Sequence, residues 1–156
     1  MRIEVDDLTR QPVLDLLNEH LTNMYELSPP EQVFALDVIK LRAPGITFWS
    51  VWHSDVLLGC GALGELTPKH AEVKSMRTPK ALRGRGAAKA VLSHMIEVAR
   101  QRGYEELSLE TGSHPAFLPA QALYRSFGFG PCGPFGSYRE NPNSVFMSIR
   151  LGGPAG

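Results

Sequence analysis

The sequence predicts one α/β domain with a mostly antiparallel front half. Three observations carry this. The chain has 156 residues, the size of one ordinary domain. Apolar residues recur at three-to-four spacing in two stretches, Val13 to Met24 and Ala87 to Ala99. Shorter runs such as Ile46–Trp52 and Glu106–Thr111 have strand character. Helices and strands therefore intermingle along the chain. No repeat or second domain is visible, so residues 1–151 read as the domain and 152–156 as a flexible tail.

In order, Met1–Val5 is an edge-strand candidate. Thr9 is placed to cap a first helix bearing Val13, Leu16, Leu17, Leu21 and Met24. Ser28-Pro29-Pro30-Glu31 reads as a capping box with proline in the first turn, opening a second helix to about Leu41. Ile46–Trp52 and Val56–Leu63 form a hairpin around His53-Ser54-Asp55, and His70–Thr78 continues the meander. Gly86–Arg102 is the clearest helix, with one apolar stripe and Gly103 as its stop. Glu106–Thr111 is a strand, Pro119–Phe127 a short helix ended by Gly128, and Ser144–Leu151 the last strand.

Formal net charge is zero, so no global field points to nucleic acid or a membrane. The charges are uneven all the same. Residues 1–40 are acidic, whereas Lys74 to Lys89 carries Lys74, Arg77, Lys80, Arg83, Arg85 and Lys89 and no acid. Cys60 and Cys132 form no metal spacing and read as reduced, half-buried thiols. With no signal peptide and no bilayer-length apolar run, a cytoplasmic location is expected.

The sharpest local signal is Arg83-Gly84-Arg85-Gly86-Ala87-Ala88, between a strand and a helix. First-turn amides are a ready anion site, small residues let a phosphate approach, and arginines add charge-assisted hydrogen bonds. No Lys-Ser/Thr follows the last glycine, so a Walker-type loop is excluded. Nucleic acid is disfavoured because no aromatic platform surrounds the basic residues. In the strand before the loop, Val73 should face the core, yet the next apolar residue is Met76, three positions on. That odd step predicts a β-bulge; the alternative is a plain register with Lys74 or Ser75 inward. A bulge would splay this strand from Glu106–Thr111 and leave a slot for an extended, amide-containing arm. An amide-containing arm ending in pyrophosphate describes coenzyme A.

These residues resemble the acetyl-CoA motif of GNAT N-acetyltransferases, Gln/Arg-x-x-Gly-x-Gly/Ala. Leu123-Tyr124-Arg125-Ser126-Phe127-Gly128-Phe129 resembles the family's second landmark, a tyrosine four residues before Gly-Phe. The resemblance covers roughly Leu63 to Leu151, and KSMRT, LETG and PFGSY…NSVFM are similar to a small bacterial subgroup. It implies a central mixed, mostly antiparallel twisted sheet of six to seven strands, splayed at its centre and flanked by about four helices. It also implies acetyl transfer from acetyl-CoA to an amine in a ternary complex, without a metal. The amine must shed a proton, the thioester oxygen needs a placed donor, and the leaving thiolate benefits from a proton.

By that resemblance, backbone groups of Met76, Arg77 and Thr78 hold the pantetheine arm and Arg83, Gly84, Arg85, Gly86, Ala87 and Ala88 the pyrophosphate. Tyr124 is the general-acid candidate. Glu72, then Glu110, are candidates for the base, with His114 or a water relay as further routes. Phe117 stands where many relatives carry a cofactor-binding asparagine; Ser113 or His114 is the possible substitute. Tyr25, Glu26 and Tyr138 are acceptor-site candidates, and Arg77 with Arg139 is an alternative pair for an acceptor carboxylate. The expected acceptor is a small-molecule or amino-acid amine. The alternatives are a protein lysine or N-terminal amine, or a noncatalytic CoA-binding regulator. Homodimerisation is an open expectation, for which Phe48–Trp52 is a candidate surface unless it is core.

Overall fold

The computed structural model describes residues 1–27 and 38–152, with the backbone alone at 20–27, 38 and 39. Among the described residues, seven strands form one sheet: β1 (Arg2–Val5), β2 (Ile46–His53), β3 (Val56–Thr67), β4 (His70–Arg77), β5 (Glu106–Gly112), β6 (Gly130–Pro131) and β7 (Ser144–Arg150). Their order is β1-β2-β3-β4-β5-β7-β6. Only β4 and β5 pair in parallel. A parallel pair needs a crossover, and α3 (Ala87–Gln101) supplies it. The other helices are α1 (Gln11–Leu27), α2 (Val38–Leu41) and α4 (Leu118–Ser126).

Two cores sandwich the sheet. On one face Val91, Leu92, Met95 and Ala99 of α3 and Tyr124 of α4 pack on Trp49, Val51, Leu63, Val73, Leu107 and Leu109. On the other, Val13, Leu16 and Leu17 of α1 with Leu41 cover Phe48, Trp52, Leu57, Cys60 and Ala62. β2 is thus buried on both sides, which explains why adjacent residues such as Phe48 and Trp49, or Val51 and Trp52, are apolar alike. Phe48, Trp49, Val51 and Trp52 are core and offer no surface for a partner.

Several sequence expectations need correction. Thr9 does not cap α1: its hydroxyl donates to Asp7, and the first turn closes from Leu14 N–H onto the Arg10 carbonyl. The buried Asp6 carboxylate fixes this entry, accepting from Leu8 N–H (2.8 Å) and Ser50 Oγ (2.7 Å) and pairing with Arg10. The two thiols are not alike, because Cys60 is buried and Cys132 exposed. β3 runs on to Thr67, since pairing with β4 continues past the last apolar residue. The Ser28–Glu31 capping box and residues 153–156 lie outside the described residues.

The bulge is present. Ala62 pairs with Lys74 and Cys60 with Arg77, so Ser75 and Met76 together face Gly61. Ser75 takes a left-handed conformation (φ 54°), and its carbonyl accepts from the Cys60 thiol at 3.2 Å. Gly61 makes room for these methionines, since a Cβ would lie 2.9 Å from both Met76 Sδ and Met95 Cε and both side chains would have to shift. The strands part after Glu72, ahead of the bulge. β4 and β5 pair only at His70↔Glu106, Ala71↔Leu107 and Glu72↔Ser108. β5 stays paired with β7 to Gly112, and β4 with β3 to Arg77. The result is a wedge-shaped slot open past Glu72.

Candidate active site

The slot ends at the loop leading into α3. Pro79 opens a single 3₁₀ turn, Lys80–Leu82, whose Leu82 packs on the larger core and anchors the segment. Gly84 and Gly86 then take φ of 82° and 83°. Gly86 is the N-cap of α3, and no side chain caps the first-turn amides. The first turn carries no acid, and Arg83 and Arg85 are exposed at its rim. Uncapped amides, the helix dipole and two arginines form a cradle suited to a diphosphate. Nothing lies within 4 Å of where a Gly84 Cβ would stand, so positive φ rather than crowding demands glycine there.

Past Glu72, the edge of β4 that faces the slot has no paired strand among the described residues. Met76 turns its side chain inward against the larger core.

On the face opposite α3, the slot carries a carboxylate cluster. Glu72 is buried and fully engaged: Lys74 Nζ donates to Oε1 (2.9 Å) and Tyr138 Oη to Oε2 (2.5 Å). Glu110, beyond the last β4–β5 pair, accepts from Ser144 Oγ at 2.8 Å. Its carboxyl pKa is pushed up to about 7, first by burial. The Ser144 bond opposes the shift, the Glu72 charge adds to it and Lys74 opposes it. Burial and Glu72 likewise raise the Tyr138 phenol, which stays protonated as a donor. Phe135, Tyr138 and Phe146 pack together beside this cluster with ring centroids 5.1–5.9 Å apart, Phe135 edge-on to both of the others.

Tyr124 is 7 % exposed on the inner face of α4, its ring edge-on to Phe129. Burial raises its pKa. Arg77 sends its side chain to α1, where Nη2 lies 3.5 Å from Glu19 Oε1. Ser113 Oγ is spent on the Pro142 carbonyl, and His114 Nδ1 accepts from Ala116 N–H. Phe117 covers Gly112, and Gln121 Nε2 donates to the Gly112 carbonyl. Tyr25 and Glu26 fall in the last turn of α1, and their side chains lie outside the described residues. Sequence reasoning had missed Lys74 and Ser144. Lys74 was findable, because i and i+2 on a strand share a face; Ser144 depended on β5–β7 register, which the sequence does not reveal.

A sheet that parts at its centre around a helix-tip anion cradle is the frame of an acyl-CoA-dependent transferase. The profile described as "Acetyltransferase (GNAT) family" matches residues 11–129. The chain belongs to the GNAT family and is an N-acetyltransferase. It is 57 % identical over 151 residues to the Bacillus subtilis "Uncharacterized N-acetyltransferase YsnE", covering 97 % of this chain and 100 % of that one. It is 47 % identical to "Uncharacterized N-acetyltransferase YedL" of Escherichia coli, covering 96 % and 94 %. A GNAT family acetyltransferase from Elizabethkingia anophelis, solved with acetyl-CoA bound, shares the fold at TM-score 0.68 and 14 % identity, with 96 % and 97 % covered. Acetyl-CoA is the cosubstrate of this family, and the uncapped α3 amides beside a slot with an unpaired strand edge fit it. Among the described residues, no group of His, Cys, Asp or Glu is arranged to hold a metal, and no helix is long and apolar enough to cross a membrane.

Proposed function

We propose that this enzyme acetylates the primary amine of a small molecule or amino acid by direct attack, with Glu110 as the base. One observation carries the reading: a half-buried carboxyl titrating near neutrality beside an open slot. A general base works best when its pKa lies near the working pH. Glu72 is the weaker candidate, because Lys74 and Tyr138 occupy both of its oxygens.

In this reading, amides from Arg83 to Ala88 hold the pyrophosphate and main-chain groups of Met76 and Thr78 align the arm. Acetyl-CoA supplies an acetyl group activated as a thioester. Glu110 takes a proton from the incoming ammonium, and Glu72 holds Tyr138 over the acceptor. Tyr124, kept neutral by burial, gives its proton to the departing thiolate, which leaves as the thiol, and regains one from solvent. Free thiols support work in the cytoplasm.

The test is a screen of amines with acetyl-CoA, reading released thiol. Turnover of at least one small amine is expected. Turnover confined to peptide lysines or N-termini would refute the small-molecule assignment, and cofactor binding with no turnover on any amine would refute direct acetylation.

A further inference from the structure

Arg77 belongs to a face of β4 that an unbulged strand would not give it. Along a regular strand, Glu72, Lys74 and residue 76 share one side and residue 77 takes the other. Here Ser75 and Met76 together oppose Gly61, and the extra residue returns Arg77 to the side of Glu72 and Lys74. Met76 goes to the α3 core, and Arg77 reaches Glu19 on α1. The bulge therefore sets a cation at the mouth of the face that carries the carboxylate cluster.

The ion pair with Glu19 leaves that cation short of hydrogen bonds. Among the described residues, Nε and Nη2 of Arg77 are buried without a hydrogen-bond partner, and so is Glu19 Oε1. The Arg77 side chain is only 14 % exposed. Nε–H and Nη2–H lie side by side on one edge of the guanidinium, the edge that matches both oxygens of a carboxylate. Glu19 stands 3.5 Å from Nη2 without hydrogen-bond geometry, and its side chain is 39 % exposed. Buried donors left unmade are costly and rare in native proteins. Burial, then the Arg83 charge, lowers the Arg77 pKa, a strain that an arriving anion relieves.

We infer that the acceptor bears a carboxylate as well as its amine, and that the Nε–Nη2 edge of Arg77 holds that carboxylate. The inference rests on the reading of the slot as an amine acetyltransferase site. The acceptor is then of the amino-acid class, with its ammonium toward Glu110 and its carboxylate toward Arg77. Glu19 is the resident competitor that an acceptor carboxylate displaces toward solvent.

The experiment compares matched pairs: phenylalanine with phenethylamine, and alanine with ethylamine, each with acetyl-CoA. For the wild type, kcat/KM is expected at least tenfold higher for the carboxylated member of a productive pair, mainly through KM. Arg77→Gln should bring the two members within threefold of each other, and Arg77→Lys should restore part of the preference. Glu19→Gln should lower KM for the amino acid several-fold. Calorimetry of N-acetylphenylalanine against N-acetylphenethylamine on the CoA-loaded wild type reads the same preference without any variant. Turnover of carboxylate-free amines with no preference overturns the assignment and leaves amine acetylation standing. A parallel loss of acetyl-CoA affinity in Arg77→Gln also overturns it, since Arg77 would then serve the cofactor. Failure of every amine to turn over removes the underlying reading and this inference with it.

Discussion

Tyr138 Oη donates a 2.5 Å hydrogen bond to Oε2 of Glu72, 66 residues earlier in the chain. The bond ties the loop between β6 and β7 to β4 one step before the slot opens. It also completes the coordination of Glu72, whose other oxygen already accepts from Lys74. Two carboxylates on one face thereby sit in different surroundings. One is held by two donors, and burial pushes the pKa of the other up to about 7.

Glu110→Gln should lower kcat/KM about 100-fold or more, the usual scale for losing a general base. In the wild type the rate should climb as pH rises through about 7, where Glu110 ionises. Stability should run the other way. The folded-state pKa lies above the ordinary 4.5, so the contribution is complete below 4.5 and is lost as pH rises through about 7. Urea melts from pH 4 to 8 should show this slope in the wild type and a flatter one in the variant. A wild-type rate that does not change across neutrality would remove Glu110 as base.

Tyr124→Phe should reduce kcat about 100-fold while leaving acetyl-CoA affinity within twofold by calorimetry. The ring packs on Phe129 and within the α3 core, and phenylalanine keeps that packing. Equal kcat in both proteins would reduce Tyr124 to a packing residue.

Ser75→Gly should stabilise the fold by about 1 kcal/mol, because a left-handed φ at a residue with a Cβ costs that much. Ser75→Val should destabilise it by at least as much. Chemical denaturation reads both, and the two variants should move in opposite directions.

Gly112→Ala should cost about 1–3 kcal/mol through overpacking. Its Cβ would fall 2.3 Å from the Phe117 ring. In the double variant with Phe117→Ala, part of that loss should return, giving a non-additive cycle in thermal melts. Additive losses would mean that Phe117 is not what forbids a side chain there.

Arg83→Glu should weaken acetyl-CoA binding at least tenfold, most strongly at low salt, since it sets like charge beside phosphate. Unchanged affinity by calorimetry would contradict the phosphate assignment.

Local chemistry made much of this legible. The interrupted period from Val73 to Met76 announced the bulge, and Gly84 with Gly86 announced the cradle. Both signals lie within a few residues of what they cause. The entry to α1 was misread because Asp6 is satisfied by Ser50, 44 residues away, and no window around Thr9 contains that partner. Long-range register likewise hid the pairing of Glu110 with Ser144 and the clamp on Glu72, so the order of the two base candidates could not be settled from sequence. The alternating Gly59 and Gly61 mark the same place on β3, since a Cβ at Gly59 would lie 3.1 Å from the Arg77 carbonyl oxygen and one at Gly61 would meet Met76.

The displaced Ser75–Met76 pair also divides labour along β4. In the proposed reading its rim grips the acyl donor through peptide groups, which every residue possesses, while the side chains of Arg77 on β4 and Glu110 on β5 address the acceptor through groups that one codon can replace. Descendants of such a chain can trade one amine for another without losing their donor. Acceptor range should therefore drift quickly among sequences that keep this kink.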